Sequence, residues 1–274
     1  MRTAGIILSG GKGTRFGGAI PKQYLEICEK PVLAYTLEAF QKSRVDQIVI
    51  VAAEEYQDLC RKIADHFHCS KVSAVITGGR ERYDSVWNGL KYLQQLPRQE
   101  KQGVSEEEPR NGFADSGRCH RDDEELVLIH DGARPFIQPE IIDQVIDAVI
   151  SHGAAIAATP CTDTIKLVDE DQCIVSTTER KCTWAAQTPQ GFRLSEISEA
   201  YEKVFGGTNC SGNVPMQPFI TDDAMVYQMA FPDRKVRTVD AGSGNFKITT
   251  VQDLQRGESY YSRLSDACAA HHIK

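Results

Sequence analysis

Short apolar runs alternate with amphipathic stretches from Ala4 to Ala158, and that alternation confines the chain to few architectures. Ala4-Gly5-Ile6-Ile7-Leu8, Ile48 to Val51, Ala74-Val75-Ile76, Leu126 to Ile129 and Ala154 to Ala158 read as buried strands. Between them, Pro31 opens a helix with Leu33, Leu37 and Phe40 on one face. Tyr56, Leu59, Cys60, Ile63 and Phe67 mark a second helix, Val86, Leu90 and Leu93 a third, and Pro139 to Ile150 a fourth. Alternating elements of this kind give an α/β fold, with a mainly parallel central sheet covered by helices on both faces.

The first strand opens into Ser9-Gly10-Gly11-Lys12-Gly13-Thr14-Arg15-Phe16-Gly17-Gly18, followed by Pro21-Lys22. Glycines let backbone N–H groups approach phosphate oxygens, and Arg15 and Lys22 can balance several negative charges. The loop lacks the Gly-Lys-Ser/Thr ending of a P-loop. Its Gly11, Gly13 and Gly17 also miss the dinucleotide fingerprint, which would need glycine at Phe16. Simple ATPase and dehydrogenase readings therefore lose ground to another polyphosphate ligand; the bland alternative is a flexible strand-to-helix turn.

With 274 residues, 41% hydrophobic and 25% charged, the chain has the composition of one large globular domain. A formal net charge of -7 argues against a nucleic-acid surface, so an anionic ligand must be held by local cations. Nine cysteines with no Cys-x-x-Cys pair favour reduced thiols and a cytoplasmic setting over a disulfide framework. No run approaches a membrane span, and the apolar stretch ending at Leu8 is too short for a signal-peptide core. His66, His68 and Cys69 lack a fourth ligand and read as helix-end residues rather than a metal site.

Two stretches break the rhythm. Pro97 to Glu125 is polar and acidic with almost nothing to bury, which reads as a surface insertion, and Gly206 to Pro218 reads as a second surface loop. Thr164 to Val168 and Cys173 to Thr177 flank the turn-prone Asp169-Glu170-Asp171-Gln172, predicting a β-hairpin that needs something to pack on, a second subunit being one candidate. Thr250-Val251-Gln252-Asp253 resembles a capping box opening a last helix through about Leu264. The expected organisation is a single domain over 1–264, an insertion at about 97–125, a hairpin arm at about 161–187 and a tail at 265–274.

In open α/β sheets ligands bind beyond the carboxyl ends of the strands. Besides the first loop, Gly78-Gly79-Arg80-Glu81-Arg82-Tyr83-Asp84-Ser85 follows a strand, and Ser85 there can meet a base or ribose, or simply cap a helix. His130-Asp131-Gly132-Ala133-Arg134-Pro135 puts a carboxylate at a strand end, where it can meet Mg²⁺, a ribose hydroxyl, or only Arg134. Arg180, Thr188 and Lys247 are polar candidates far apart in sequence, and nothing in the sequence shows that they converge.

These residues carry a family resemblance. The first loop, Pro21-Lys22-Gln23-Tyr24-Leu25, His130 to Pro135, Gln187-Thr188-Pro189-Gln190-Gly191-Phe192, Thr221-Asp222-Asp223-Ala224 and Asn245-Phe246-Lys247-Ile248-Thr249 resemble, in order, the 2-C-methyl-D-erythritol 4-phosphate cytidylyltransferases. The resemblance spans roughly Met1 to Leu264 apart from the two loops. It implies a Rossmann-like nucleotidyltransferase fold with a protruding hairpin as dimerisation arm, and a homodimeric enzyme that joins CTP to 2-C-methyl-D-erythritol 4-phosphate with release of pyrophosphate. It further implies Mg²⁺ or another divalent cation with the CTP.

By position, the resemblance gives Arg15 and Lys22 the triphosphate, with the backbone of Ser9, Gly10, Gly11, Lys12 and Gly13 beneath it. Gly79, Ser85 and Gly132 would contact the cytidine. Asp131, Arg180, Thr188 and Lys247 would surround the polyol phosphate, Arg180 coming from the partner's hairpin and Lys247 lying near the α-phosphate. Arg15, Lys22, Lys247 and Arg180 are thus the catalytic candidates, and Asp131 the one candidate metal ligand. The family loop more often has alanine where Ser9 or Gly10 stands, and the acidic insertion is unusual. Two rivals stay open: a ribitol 5-phosphate cytidylyltransferase, and a non-catalytic nucleotide-binding or scaffold protein of the same fold.

Overall fold

The computed structural model describes residues 1–11, 20–97, 124–206 and 220–271, with side chains to residue 262. Lys12, Gly13 and Arg15, the expected insertion except Pro97, Glu124 and Glu125, and the second loop beyond Gly206 lie outside the described residues.

The expected elements form. They are β1 (Arg2–Ser9), α1 (Val32–Lys42), β4 (Gln47–Ala52), α2 (Gln57–His66), β5 (Val72–Thr77), α3 (Arg82–Gln95), β6 (Glu125–Asp131), α4 (Pro139–His152) and β7 (Ala154–Pro160). A two-stranded ribbon of β2 (Glu26–Ile27) and β3 (Lys30–Pro31) precedes α1. The hairpin is β8 (Lys166–Val168) with β9 (Ile174–Thr177). The sequence reading did not anticipate β10 (Trp184–Arg193), α5 (Leu194–Phe205), α6 (Asp223–Ala230) or β11 (Arg237–Asp240). The last helix, α7 (Val251–His271), runs past Leu264 into the expected tail, because Ser265 to His271 contains three alanines and no glycine or proline to stop it.

The seven-stranded sheet has the order β11-β7-β10-β6-β1-β4-β5. Every pairing is parallel except those of β10, which runs antiparallel between β6 and β7. Period-2 alternation splits each central strand between two cores. Ile7, Ile48, Ile50, Leu126 and Leu128 face Leu33, Leu37 and Phe40 of α1, Ile63 of α2 and Val145 of α4. Ile6, Val49, Val51, Val127 and Ile129 face Val86 and Leu90 of α3, Ile197 and Tyr201 of α5 and Tyr227 of α6. Leu59, expected on the buried face of α2, is exposed. His66 closes α2 and His68 takes a left-handed backbone (φ 53°) just beyond it, as helix-end residues do.

β10 escaped the sequence reading because Pro189 and Gly191 both argue against a central strand. Gly191 is required there: a Cβ would lie 2.7 Å from Val149 Cγ2 and 3.0 Å from Val145 Cγ1. The Thr188–Pro189 peptide is cis. The buried polar residues Gln187, Thr188 and Gln190 are tolerated because each finds hydrogen-bond partners. The capping box at the start of α7 forms, Thr250 Oγ1 accepting from the Asp253 N–H while the Asp253 carboxylate accepts from the Thr249 and Thr250 N–H groups. Asp253 is held below the usual carboxylate range because these bonds outweigh its burial.

Candidate active site

β1 is the switch point of the sheet. The chain leaves it for β4 and β5 on one side and returns to β6 on the other, and Leu8 stands opposite Asp131 in register. The carboxyl ends of β1, β4, β5 and β6 therefore share one edge. Gly132 N–H donates to Leu8 C=O at 2.9 Å and Gly78 N–H to Ala52 C=O at 2.8 Å, stitching the strand ends together.

The glycine-rich loop leaves this edge. Ser9 is buried, its hydroxyl donating to Tyr24 Oη at 3.2 Å. Lys22 begins the 3-10 turn Lys22–Tyr24, whose Gln23 and Tyr24 reach back to the backbone of Ser9 and Gly11. Beside it, Glu81 and Asp84 form a reciprocal capping box at the start of α3. Ser85 is buried and accepts from Gly79 N–H at 3.0 Å while donating to Glu81 C=O at 3.2 Å. Only glycine fits at 79, since a Cβ would sit 2.1 Å from Asp84 Cβ.

Asp131 closes β6 and is buried, with three cations around its carboxylate. Lys247 Nζ lies 2.7 Å from Oδ2, Arg82 Nε 3.5 Å from Oδ1 and Arg134 Nε 4.0 Å from Oδ2. Burial alone would raise the Asp131 pKa, but Lys247 and Arg82 outweigh it and hold the group well below the usual carboxylate range. Arg82 also forms a two-pronged pair with Asp223, at 2.9 and 2.8 Å, and Tyr201 Oη donates to Asp223 Oδ1 at 2.7 Å. The Thr188 hydroxyl accepts from Asp131 N–H at 3.1 Å and lies 3.0 Å from His130 Nδ1. Burial pushes the His130 pKa down to about 3, so the ring is neutral. Asn245 donates to Gln187 Oε1 and Thr188 C=O, and Arg134 Nη1 to Asn245 C=O, which seats the Asn245 to Thr249 segment against β10.

Asp131, Thr188 and Lys247 thus converge from three distant parts of the chain. Ser9, Gly10, Gly11, Gly79, Ser85 and Gly132 share the same edge. Arg180 does not join them within one chain: it stands exposed in a 3-10 turn at the base of the hairpin and donates to Thr164 Oγ1 at 2.9 Å. Arg82 and Asp223 went unassigned in the sequence reading. Both stand inside quoted stretches, but their pairing spans 141 positions and no local pattern reveals it.

A family model of 2-C-methyl-D-erythritol 4-phosphate cytidylyltransferase matches residues 3–100 and 118–263. The chain is 39% identical over 256 residues to the Lachnospira eligens protein of that name, covering 93% of this chain and 96% of that one. The chain belongs to this cytidylyltransferase family. The Clostridium botulinum (strain 657) relative is 35% identical over 261 residues, with 95% and 97% covered. The crystal structure of 4-diphosphocytidyl-2C-methyl-D-erythritol synthase from Anaerococcus prevotii superposes with a TM-score of 0.72 at 26% identity, covering 95% and 96% of the two chains. The family model passes over residues 101–117, inside the acidic stretch expected to be an insertion.

A cytidylyltransferase of this family raises the question of a metal. Among the described residues no three His, Cys, Asp or Glu side chains gather as a cation site. Asp131, the sequence candidate for a metal ligand, shares its carboxylate with three cations instead. These side chains do not fit a resident divalent ion. What they fit is a set of anions arriving at a basic, backbone-lined edge.

Proposed function

We infer that this chain transfers the cytidylyl group of CTP to 2-C-methyl-D-erythritol 4-phosphate, giving 4-diphosphocytidyl-2-C-methyl-D-erythritol and pyrophosphate. The observation that carries the reading is the convergence of Asp131, Thr188 and Lys247 beside the glycine-rich loop, in a chain that belongs to the family over nearly its whole length.

The acceptor's phosphate is already an anionic nucleophile, so the reaction needs no general base. An acceptor oxygen attacks the α-phosphorus in line, the new P–O bond forms, and the bond from the α-phosphorus to the bridging oxygen breaks as pyrophosphate leaves. Catalysis then amounts to alignment and to cancelling repulsion between two anions. Lys247 supplies charge at the α-phosphate, with Lys22 and Arg15 on the triphosphate and the amides of Ser9 to Gly13 beneath it. Gly79, Ser85 and Gly132 form the cytidine side. Asp131 accepts hydroxyls of the polyol, and Thr188 lies beside it. Any divalent cation, Mg²⁺ included, belongs to the incoming triphosphate rather than to the protein.

Arg180 belongs to a neighbouring subunit's site in this reading. The hairpin supports that: Leu167, Val168, Ile174 and Val175 are each more than half exposed, an apolar surface suited to burial in a homodimer. Free thiols at Cys28, Cys60, Cys69, Cys161, Cys173 and Cys182 support a cytoplasmic enzyme. No helix among the described residues is long and apolar enough to cross a membrane.

The test is pyrophosphate release from CTP and Mg²⁺ with 2-C-methyl-D-erythritol 4-phosphate, beside ribitol 5-phosphate and a no-acceptor control. Release with the first acceptor alone is expected. Release only with ribitol 5-phosphate would reassign the acceptor, and silence with both would overturn the enzymatic reading.

A further inference from the structure

The glycine-rich loop carries carbonyls as well as amides, and a carbonyl oxygen turned towards a triphosphate would repel it. In this structure two of the carbonyls at the end of β1, those of Ser9 and Gly11, are held by side chains of the following 3-10 turn. Gln23 is 3% exposed, and its Nε2 donates to Ser9 C=O at 2.7 Å and to Gly11 C=O at 3.3 Å. Tyr24 Oη donates to the same Ser9 C=O at 3.0 Å. Burial and the neighbouring Cys60 push the Tyr24 pKa up, so its phenol stays protonated and remains a donor. A trans peptide points its C=O and N–H in opposite directions within one plane. With Ser9 C=O tied towards the 3-10 turn, the N–H of Gly10 is directed the other way.

We propose that Gln23, assisted by Tyr24, is a positioning residue for triphosphate binding: it holds the Ser9 and Gly11 carbonyls towards the 3-10 turn, so that the Gly10 N–H is free to meet a phosphate. This rests on the CTP-dependent reading above. It sets the sequence Pro21-Lys22-Gln23-Tyr24 to work as a unit, with the lysine for charge and the next two residues for loop orientation.

The decisive variant is Gln23→Met, which keeps the volume and removes both donors. Expected is about a tenfold weaker affinity for tripolyphosphate by calorimetry, the scale of losing one or two net hydrogen bonds. The KM for CTP should rise in parallel, with the acceptor KM within about twofold of wild type. Unchanged tripolyphosphate affinity overturns the proposal, as do equal rises in both KM values. Should Gln23→Met fail to fold, Tyr24→Phe, which removes one hydroxyl, must weaken tripolyphosphate in the same direction and leave the acceptor alone; no weakening refutes the idea. Tripolyphosphate binding is read without turnover, so a failure of this proposal is distinguishable from a wild-type protein that binds the probe and transfers nothing.

Discussion

The Arg82–Asp223 pair is where stability and site geometry are most tightly joined. The Asp223 side chain is fully buried, while Arg82 keeps 30% of its side-chain surface, bonds Asp223 with both prongs and reaches Asp131 at 3.5 Å. Arg82→Met leaves a buried carboxylate with Tyr201 Oη as its remaining side-chain donor among the described residues. Breaking a buried pair costs roughly 3–5 kcal/mol, and partial exposure of the arginine puts this case near ~3. For a domain of this size ~1 kcal/mol is worth about 2–4 °C, so a drop in Tm of roughly 6–12 °C is expected. Removing both charges together, Arg82→Met with Asp223→Leu, should recover more than half of that loss, giving a coupling energy above ~1.5 kcal/mol in urea titrations. Neither change touches Lys247, so the double variant retains a cation on Asp131 and should keep measurable pyrophosphate release. A single variant as stable as wild type within about 0.5 kcal/mol, or a double variant no better than the single, would refute this account of the pair.

Lys247→Met should lower kcat by ~10²–10³-fold, the scale of losing one donor to developing charge, with far-UV circular dichroism unchanged; a loss under threefold would remove Lys247 from the chemistry. His130 stays neutral in the folded state down to about pH 3 but takes a proton near pH 6.5 when unfolded. The unfolded state therefore binds more protons below pH 6.5, and this group's share of stability, whole above that pH, falls by ~1.4 kcal/mol per unit as the pH is lowered towards 3. Urea titrations between pH 7 and 5 should show that slope, reduced in His130→Gln. If Arg180 acts across a dimer, inactive Arg180→Ala and inactive Lys247→Met chains, unfolded together and refolded as a mixture, should regain up to about a quarter of wild-type turnover, since half of the dimers are hybrids with one complete site. No recovery in a mixture shown to be dimeric by sedimentation would refute the action of Arg180 across the dimer.

The sheet was legible because its signals are local. Ile6 and Ile7, or Val127 and Leu128, are apolar neighbours that feed two opposite cores, so continuous apolar runs sufficed to mark the parallel strands. β10 was not legible for the opposite reason. It is a central strand whose buried part, before Phe192, is glutamine, threonine, proline and glycine, and its place in the sheet is secured by partners such as Asp222, Gly242 and Asn245 that lie 32 to 58 positions away. The same residues that disguise it as a loop tie the β6 end to the Lys247 segment.

That trade explains which parts of the site could be read beforehand. Glycine-rich turns, strand-end carboxylates and isolated cations announce themselves by type and offset, which is why Gly79, Asp131 and Lys247 were candidates from the sequence. The sign and spacing of charge around them were not readable, because Arg82 lies one turn ahead of Ser85 in a stretch that scans as a helix start. Its guanidinium instead binds two acids, 49 and 141 positions on. With Lys247 and Arg134 added, the cluster holds, among the described residues, three guanidinium or ammonium groups paired with two carboxylates. An excess of one positive charge at a partly buried sheet edge is stabilising only when an anion is near. In the reading proposed above, that unbalanced charge is met by the phosphates of the incoming substrates.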